Sequence, residues 1–437
     1  MSQLALFGGK PIVENKFPCI KLKNKDKIKE ELCKLIDTDF LSGYRGSTGR
    51  PFWGGKKVRE LEEYFEKDLK QQSIDYKEEV YVLAVNSCTS ALQIACGAIG
   101  LRQGDEVIVT PWSMSCSATA PMIYGAKPVF ADIEKDYFCL DYKSIEEKIT
   151  DNTQAIIVVD LFGLPYDVEK INEIAKKHNL FVIEDAAQAI GAKYNGIRTG
   201  LLGDIGCFSF TQGKHFTCGE GGFIVTKNED LYMKCALIRN HAEAVISSYD
   251  DNNSFKEEAN HYTNMIGFNM RMTELQAVVL LEQIKQIREE FWSREKNVSN
   301  LRKKIQIDGI EWSQVRENTR HSYYVFPFLY NESKIGINRK MFIKALQAEL
   351  LPDDSISGGM DFDRFMPIWE GYVNPLYKMP LFKKDINYKD IYLPVVEDLQ
   401  NNKLCCFMYQ GLPLEDFHIE LIAKAFHKVY LNRSELK

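Results

Sequence analysis

The chain has 437 residues, 45% of them hydrophobic and 27% charged, and 55 basic against 61 acidic side chains leave a net charge of −6. This composition excludes collagen-like and wholly disordered chains and allows a large buried core, with two or three domains expected from the length. The mild acidity speaks against a nucleic-acid binder, which carries a basic footprint.

The N-terminus MSQLALFGGKPIVENKF has no basic segment leading into an apolar stretch, so no secretory signal is expected. No run of about 18 apolar residues predicts a membrane span. The eleven cysteines form no C-x-x-C pair and the seven histidines are dispersed. That pattern suits reduced thiols in the cytoplasm and predicts no metal site.

In chain order, Val80–Val85 reads as a buried strand and Ser90–Gly100 as a helix. Ala155–Val159, the helix Val168–His178 and the strand Leu180–Ile183 repeat the alternation that marks a parallel α/β sheet. Tyr194-Asn195-Gly196-Ile197 carries an Asn-Gly hairpin signal, and Ile205–Phe210 with Gly222–Thr226 predict a further strand pair. Ser247–Glu258 reads as a surface insertion. Met272–Lys303 is the best helix candidate, a single long amphipathic stretch. Beyond it come a strand at Tyr323–Tyr330, a loop at Leu351–Asp363 and a closing helix at Phe417–Val429. The expected architecture is a large α/β domain over residues 1–280 and a small α+β domain over 281–437.

Three segments carry chemistry. In Phe181-Val-Ile-Glu-Asp185 a buried strand ends in two acids, at the strand end where open α/β sheets bind ligands. Asp185 there is placed either to meet a cationic ring nitrogen or to cap the next helix. Lys214 follows an apolar strand and precedes the glycine-rich Gly219-Glu-Gly-Gly222. A desolvated lysine in a cleft is competent for Schiff-base chemistry, while a solvated loop lysine is the plainer reading. Ser209 and the nearby turn offer donors to a phosphate. Finally, Asn86-Ser-Cys-Thr-Ser90 joins a strand to a helix, where Thr89 and Ser90 either add hydroxyls to an anion site or simply cap the helix. A phosphate cradle, a carboxylate and an amine are together what pyridoxal 5′-phosphate (PLP) requires.

With these segments in view, the chain resembles the DegT/DnrJ/EryC1/StrS family of PLP-dependent sugar and cyclitol aminotransferases. The resemblance rests on Ser87-Cys-Thr-Ser-Ala-Leu92, Gly104-Asp-Glu-Val-Ile108, Gly125-Ala-Lys-Pro-Val-Phe-Ala-Asp132, Glu184-Asp-Ala-Ala-Gln-Ala189, Phe208-Ser-Phe210, Lys214 to Gly222 and Asn269-Met-Arg-Met-Thr-Glu-Leu-Gln-Ala277. It implies the aspartate aminotransferase fold, called fold type I, with a mixed-sheet large domain. It also implies roles. Lys214 would carry the cofactor and shuttle a proton, and Asp185 would pair with the pyridinium nitrogen. Gln188 would sit beside the phenolic oxygen. Thr89, Ser90 and Ser209 would hold the phosphate, and Asn269 would reach it from the second subunit of a homodimer. The implied reaction moves an amino group from L-glutamate or L-glutamine to a keto sugar or cyclitol, as in surface-glycan or antibiotic biosynthesis.

The chain departs from the family at Cys88, where a glycine is usual. It also lacks the aromatic residue or histidine expected over one ring face after Pro111. Met114 is the preferred occupant of that position, with Ser115 and Trp112 as alternatives. His241 and His321 are placed either to line the cleft or to serve the core, and His215 is expected to point away from the site. Tyr44-Arg45 and Arg50-Pro-Phe-Trp53 lie in a glycine-rich segment that resembles the family's N-terminal substrate loop or forms a dimer contact. Two rival functions are a PLP-dependent sugar dehydratase, in which histidine replaces the lysine, and a non-catalytic regulatory protein. The retained Lys214 opposes the first, and Lys214 with Asp185 the second.

Overall fold

The computed structural model describes residues 3–14, 22–46, 50–73, 76–242, 265–350, 368–384, 388–407 and 414–437. The stretches Ser247–Glu258 and Leu351–Asp363 fall outside them.

A seven-stranded sheet forms the centre. Its strands are β1 (Tyr81–Val85), β2 (Glu106–Val109), β3 (Lys127–Phe130), β4 (Thr153–Val159), β5 (Phe181–Asp185), β8 (Ile205–Ser209) and β9 (Gly222–Thr226). Between β5 and β8 lie the two short strands β6 (Lys193–Tyr194) and β7 (Ile197–Arg198). The spatial order is β1-β9-β8-β5-β4-β2-β3, with β9 antiparallel to both neighbours and the remaining pairs parallel. Both faces are covered, which is why the strands read as unbroken apolar runs. Within β1, Val82 and Ala84 enter a core with α2 (Lys56–Gln72), while Leu83 and Val85 enter the core on the opposite face. Strands β2 and β3 have only four residues each, too few to show a period.

The predicted hairpin is present as β6 and β7. Asn195 and Gly196 both take positive φ, 46° and 80°, the conformation that an Asn-Gly turn supplies at low cost. The helix predicted at Val168–His178 has those bounds. Asp167 caps it through the Lys170 N–H, and Asn179 ends it in the left-handed region.

Three predicted elements are corrected. The helix after β1, α3 (Cys88–Ala98), starts at Cys88 and not at Ser90, because Ser87 is its N-cap and accepts the Ser90 N–H. The long helix predicted at Met272–Lys303 is two helices, Glu274–Ile284 and Ile287–Lys304, broken at Lys285-Gln286. The break lets one amphipathic pattern serve two cores: Ile284, Ile287 and Phe291 pack beside the large sheet, and Val298 and Leu301 pack in a second core. The strand predicted from Tyr323 begins at Phe326, because Tyr323 has a φ of 50° and its N–H is taken by His321 Nδ1 at 2.8 Å.

That second core lies under a four-stranded antiparallel sheet of Ile310–Trp312, Phe326–Tyr330, Leu404–Phe407 and Ile368–Glu370, with the helices Arg339–Leu350 and Asp416–Leu431. Leu4 and Val13 from the start of the chain join it. The buried carboxylate of Glu349 ties them there, accepting the N–H groups of Ala5 at 2.9 Å and Ile12 at 3.1 Å.

Candidate active site

Sheet register brings the chemistry to one edge. Val85, the last residue of β1, pairs with Gly222, which pairs with Ser209 at the end of β8. On the other side, Asp185 at the end of β5 pairs with Cys207 of β8. The C-terminal strand ends and the N-terminus of α3 therefore share one rim, the ligand-binding position of such sheets.

Asp185 and Glu184 are neighbours with opposite fates. Successive strand residues face opposite sides. Glu184 has both oxygens saturated by the N–H groups of Gly200 at 2.6 Å, Leu202 at 3.0 Å and Gly203 at 3.3 Å, so it is structural. Asp185 Oδ2 accepts from the Ser117 hydroxyl at 2.9 Å. Its Oδ1 accepts from the Ala187 N–H at 3.2 Å and, more weakly, from the Cys88 thiol at 3.9 Å. Among the described residues no cation forms an ion pair with it. Burial pushes its carboxyl above the usual range, while Ser117, the Ala187 N–H and the charge of Lys214 pull it back. A buried carboxylate held by neutral donors is suited to an incoming cation.

Lys214 sits in the loop between β8 and β9. The loop is pinned where Phe210 N–H meets the Gly221 carbonyl at 2.8 Å, and Phe210 and Phe216 bury their rings. His215 is a structural histidine, its Nε2 lying 3.0 Å from the Ser322 carbonyl. Lys214 Nζ stands over the Tyr324 ring, 4.5 Å from its centroid, and has no hydrogen bond or ion pair among the described residues. The amine is thus buried, held near Asp185 and uncommitted.

At the start of α3, Thr89 is exposed and is a partner of the Cys116 thiol, which feels both Asp185 and Lys214. Burial pushes that thiol up to about 11, so it stays neutral near pH 7. The Ser90 hydroxyl lies 2.9 Å from that of Ser87. Gly222 packs directly on this turn: a Cβ there would lie 2.6 Å from the Ser87 carbonyl carbon and 2.8 Å from the Cys88 nitrogen. Only glycine allows the strand and the helix N-terminus to approach so closely.

Gln188 completes the group. Its Oε1 accepts the Phe162 N–H at 2.8 Å, which fixes the amide and turns Nε2 towards the Tyr372 hydroxyl at 3.1 Å. Phe162 itself holds a φ of 62°, a costly conformation for a bulky residue.

Two predicted residues are exposed. Asn269 is exposed, with its side chain tied to Arg271 Nε at 2.8 Å. Met114 is exposed at 58% of its surface. Trp112, the aromatic alternative, is wholly buried, and its indole N–H donates to the Val373 carbonyl at 2.7 Å. His321 stacks on Tyr323 at 4.2 Å, and burial lowers its pKa to about 3, so it is a core residue. Sequence reasoning missed Ser117, Cys116, Phe162 and Tyr372. The serine spacing Ser113-x-x-x-Ser117 after β2 was a usable signal for the first; the Ser113 and Ser117 hydroxyls lie 3.1 Å apart. Tyr372 had no local signal.

An uncommitted amine, a buried carboxylate lacking a cation and a glycine-cradled helix N-terminus fit the aldehyde, the ring nitrogen and the phosphate of PLP. Known proteins agree. A sequence model of the DegT/DnrJ/EryC1/StrS aminotransferase family matches residues 51–424. GDP-perosamine synthase of Escherichia coli O157:H7 is 31% identical over 356 residues, covering 80% of this chain and 89% of that protein. A putative L-glutamine:3-amino-2,3-dideoxy-scyllo-inosose aminotransferase of Streptoalloteichus tenebrarius is 31% identical over 430 residues, 97% of this chain and 90% of its own length. The solved aminotransferase of Psychrobacter cryohalolentis superposes with a TM-score of 0.78 at 26% identity, covering 96% of this chain and 99% of that one. The chain therefore belongs to the DegT/DnrJ/EryC1/StrS aminotransferase family and is a PLP-dependent aminotransferase of fold type I.

Proposed function

We propose that the enzyme moves the amino group of L-glutamate or L-glutamine to the ketone of a nucleotide-linked sugar or a cyclitol, in surface-glycan or secondary-metabolite synthesis. The perosamine and inosose relatives support that substrate class. The observation that carries the reading is the meeting of Lys214, Asp185 and the α3 N-terminus at one sheet edge.

When bound, PLP supplies an electron-withdrawing ring that stabilises negative charge at the donor's α-carbon. The protein's residues do the rest. Asp185 would hold the proton on the ring nitrogen, since its donors are neutral and leave its charge uncompensated. Gln188 Nε2 would donate to the phenolic oxygen. Thr89, Ser90 and Ser209 hold the phosphate together with the first N–H groups of α3. Lys214 Nζ would hold the cofactor at its aldehyde carbon and, as a free amine, would move the proton of the donor's α-carbon. Met114 would cover one ring face; its thioether suits an aromatic contact. Lys214 stands where the family's dehydratases carry histidine, which favours amino transfer.

The reading includes a homodimer in which Asn269 serves the second copy's site; its exposure supports this. It keeps a large domain to about residue 280 and a small one after it, with Leu4 and Val13 lent to the small domain's core and Ile284, Ile287 and Phe291 to the large one's. It places the enzyme in the reducing cytoplasm, in keeping with ten free cysteines among the described residues.

The test is a two-stage assay. The PLP-loaded protein is treated with glutamate or glutamine while the visible band is followed. Keto sugars and keto cyclitols are then added and amination is read by mass. A band indifferent to both donors, with no acceptor aminated, would refute the proposal.

A further inference from the structure

Around Gln188 the structure closes a three-point clamp. Phe162 N–H takes the amide oxygen at 2.8 Å, and the Tyr372 hydroxyl takes one amide N–H at 3.1 Å. The third side joins the two clamping residues: the Tyr372 and Phe162 rings meet edge to face with centroids 4.9 Å apart. Because Oε1 is consumed by a backbone donor, the amide cannot turn over without leaving that N–H unsatisfied. Its second N–H has no acceptor among the described residues.

Tyr372 is itself anchored from several sides. Its backbone N–H donates to Gln400 Oε1 at 2.8 Å. The Trp112 indole N–H reaches the Val373 carbonyl at 2.7 Å and Gln400 Oε1 at 3.2 Å. Its ring also lies edge to face on Trp112, with centroids 5.9 Å apart. Gly371 before it has a φ of 68°, and a Cβ there would lie 2.6 Å from Gln400 Nε2. The Tyr372 hydroxyl has no hydrogen-bond partner besides Gln188 among the described residues. The titratable groups that face it are Tyr324, Cys406 and Asp185.

The geometry points to Tyr372 as a positioning residue for the reaction: by accepting one N–H of Gln188 it aims the other at the phenolic oxygen of the cofactor. This rests on the PLP reading of the site. A donor aimed at that oxygen favours its anionic form, so losing the aim makes the visible chromophore hold its proton to higher pH.

The experiment is a spectroscopic pH titration of PLP-loaded wild type, Tyr372→Phe, Gln188→Ala and the double variant. Tyr372→Phe is expected to raise the midpoint by about 0.5–1 pH unit, as for one weakened hydrogen bond to a charged group. Gln188→Ala should raise it at least as far, and the double variant no further than Gln188→Ala alone, because the tyrosine acts through the amide. Phe162→Leu keeps the backbone donor, removes the ring under Tyr372 and should shift the midpoint the same way by less. It serves as the second variant if Tyr372→Phe does not fold. A Tyr372→Phe curve superimposable on wild type, or additive shifts in the double variant, would overturn the role of Tyr372 while leaving the PLP reading intact. A wild type that acquires no visible band with PLP would overturn both.

Discussion

Replacing Ser117 with alanine tests the state of Asp185 directly. The variant removes the donor 2.9 Å from Oδ2 and leaves Oδ1 with the Ala187 N–H and the Cys88 thiol. A hydrogen bond to a buried charged group contributes about 1.5–3 kcal/mol, or about one to two pKa units. Burial has already raised the Asp185 carboxyl, and the variant raises it further. An acid whose folded pKa lies above its unfolded value loses stability as the pH rises through the folded pKa. The two proteins share one unfolded state, and at acid pH both carry a neutral carboxyl, so they differ there only by a neutral hydrogen bond. As pH rises through the folded titration of Asp185, the variant must either keep the proton or bear a poorly stabilised charge, and the gap opens. With an unfolding entropy of about 2 cal/mol/K per residue, the full gap is roughly 2–3 °C in melting temperature. The assay is a series of melts of the cofactor-free proteins from pH 4 to 8. A gap that is absent, or constant across that range, would refute the reasoning that Ser117 stabilises the ionised carboxylate.

Three further outcomes are expected. Lys214→Ala should lower turnover by at least about four orders of magnitude and remove the borohydride-reducible link to PLP. It should nonetheless melt close to wild type, because the amine makes no hydrogen bond or ion pair among the described residues; calorimetry and mass spectrometry after reduction check both halves. Gly222→Ala drives a Cβ into the turn that starts α3, so it should cost about 1–3 kcal/mol of stability and weaken PLP binding, read by denaturant melts and by cofactor titration. Glu290 is buried, yet Arg294 and then Lys23 hold its carboxyl down at about 2. Its depressed pKa stabilises the fold above the usual carboxylate range, and that stability is lost as pH falls towards 2. Glu290→Gln should therefore cost on the order of 2 kcal/mol at pH 7 and little near pH 2, and a melt difference that grows towards acid pH would contradict it.

Local signals carried much of this protein. The helix Val168–His178 is bounded by its own capping residues, and the Asn195-Gly196 turn by dihedral preferences that need no distant partner. The apolar runs of β1, β4 and β5 were legible because both faces of the sheet are covered. The amine and the acid were legible too, since their residue types and surroundings suffice to suggest PLP, and the family motifs add the rest.

What the sequence left open depends on which residues meet across the fold. That Glu184 beside the site's acid is structural follows only from the side of β5 it faces and from the N–H groups that fill its oxygens. Ser117 reaches Asp185 across 68 residues of chain, and Tyr372 reaches Gln188 across 184. The break at Lys285-Gln286 carries no glycine or proline; it exists because two cores need burying from one helical pattern. Periodicity and turn chemistry encode the backbone of each segment, whereas hydrogen bonds and packing between remote segments follow only once the sheet order and register bring them together.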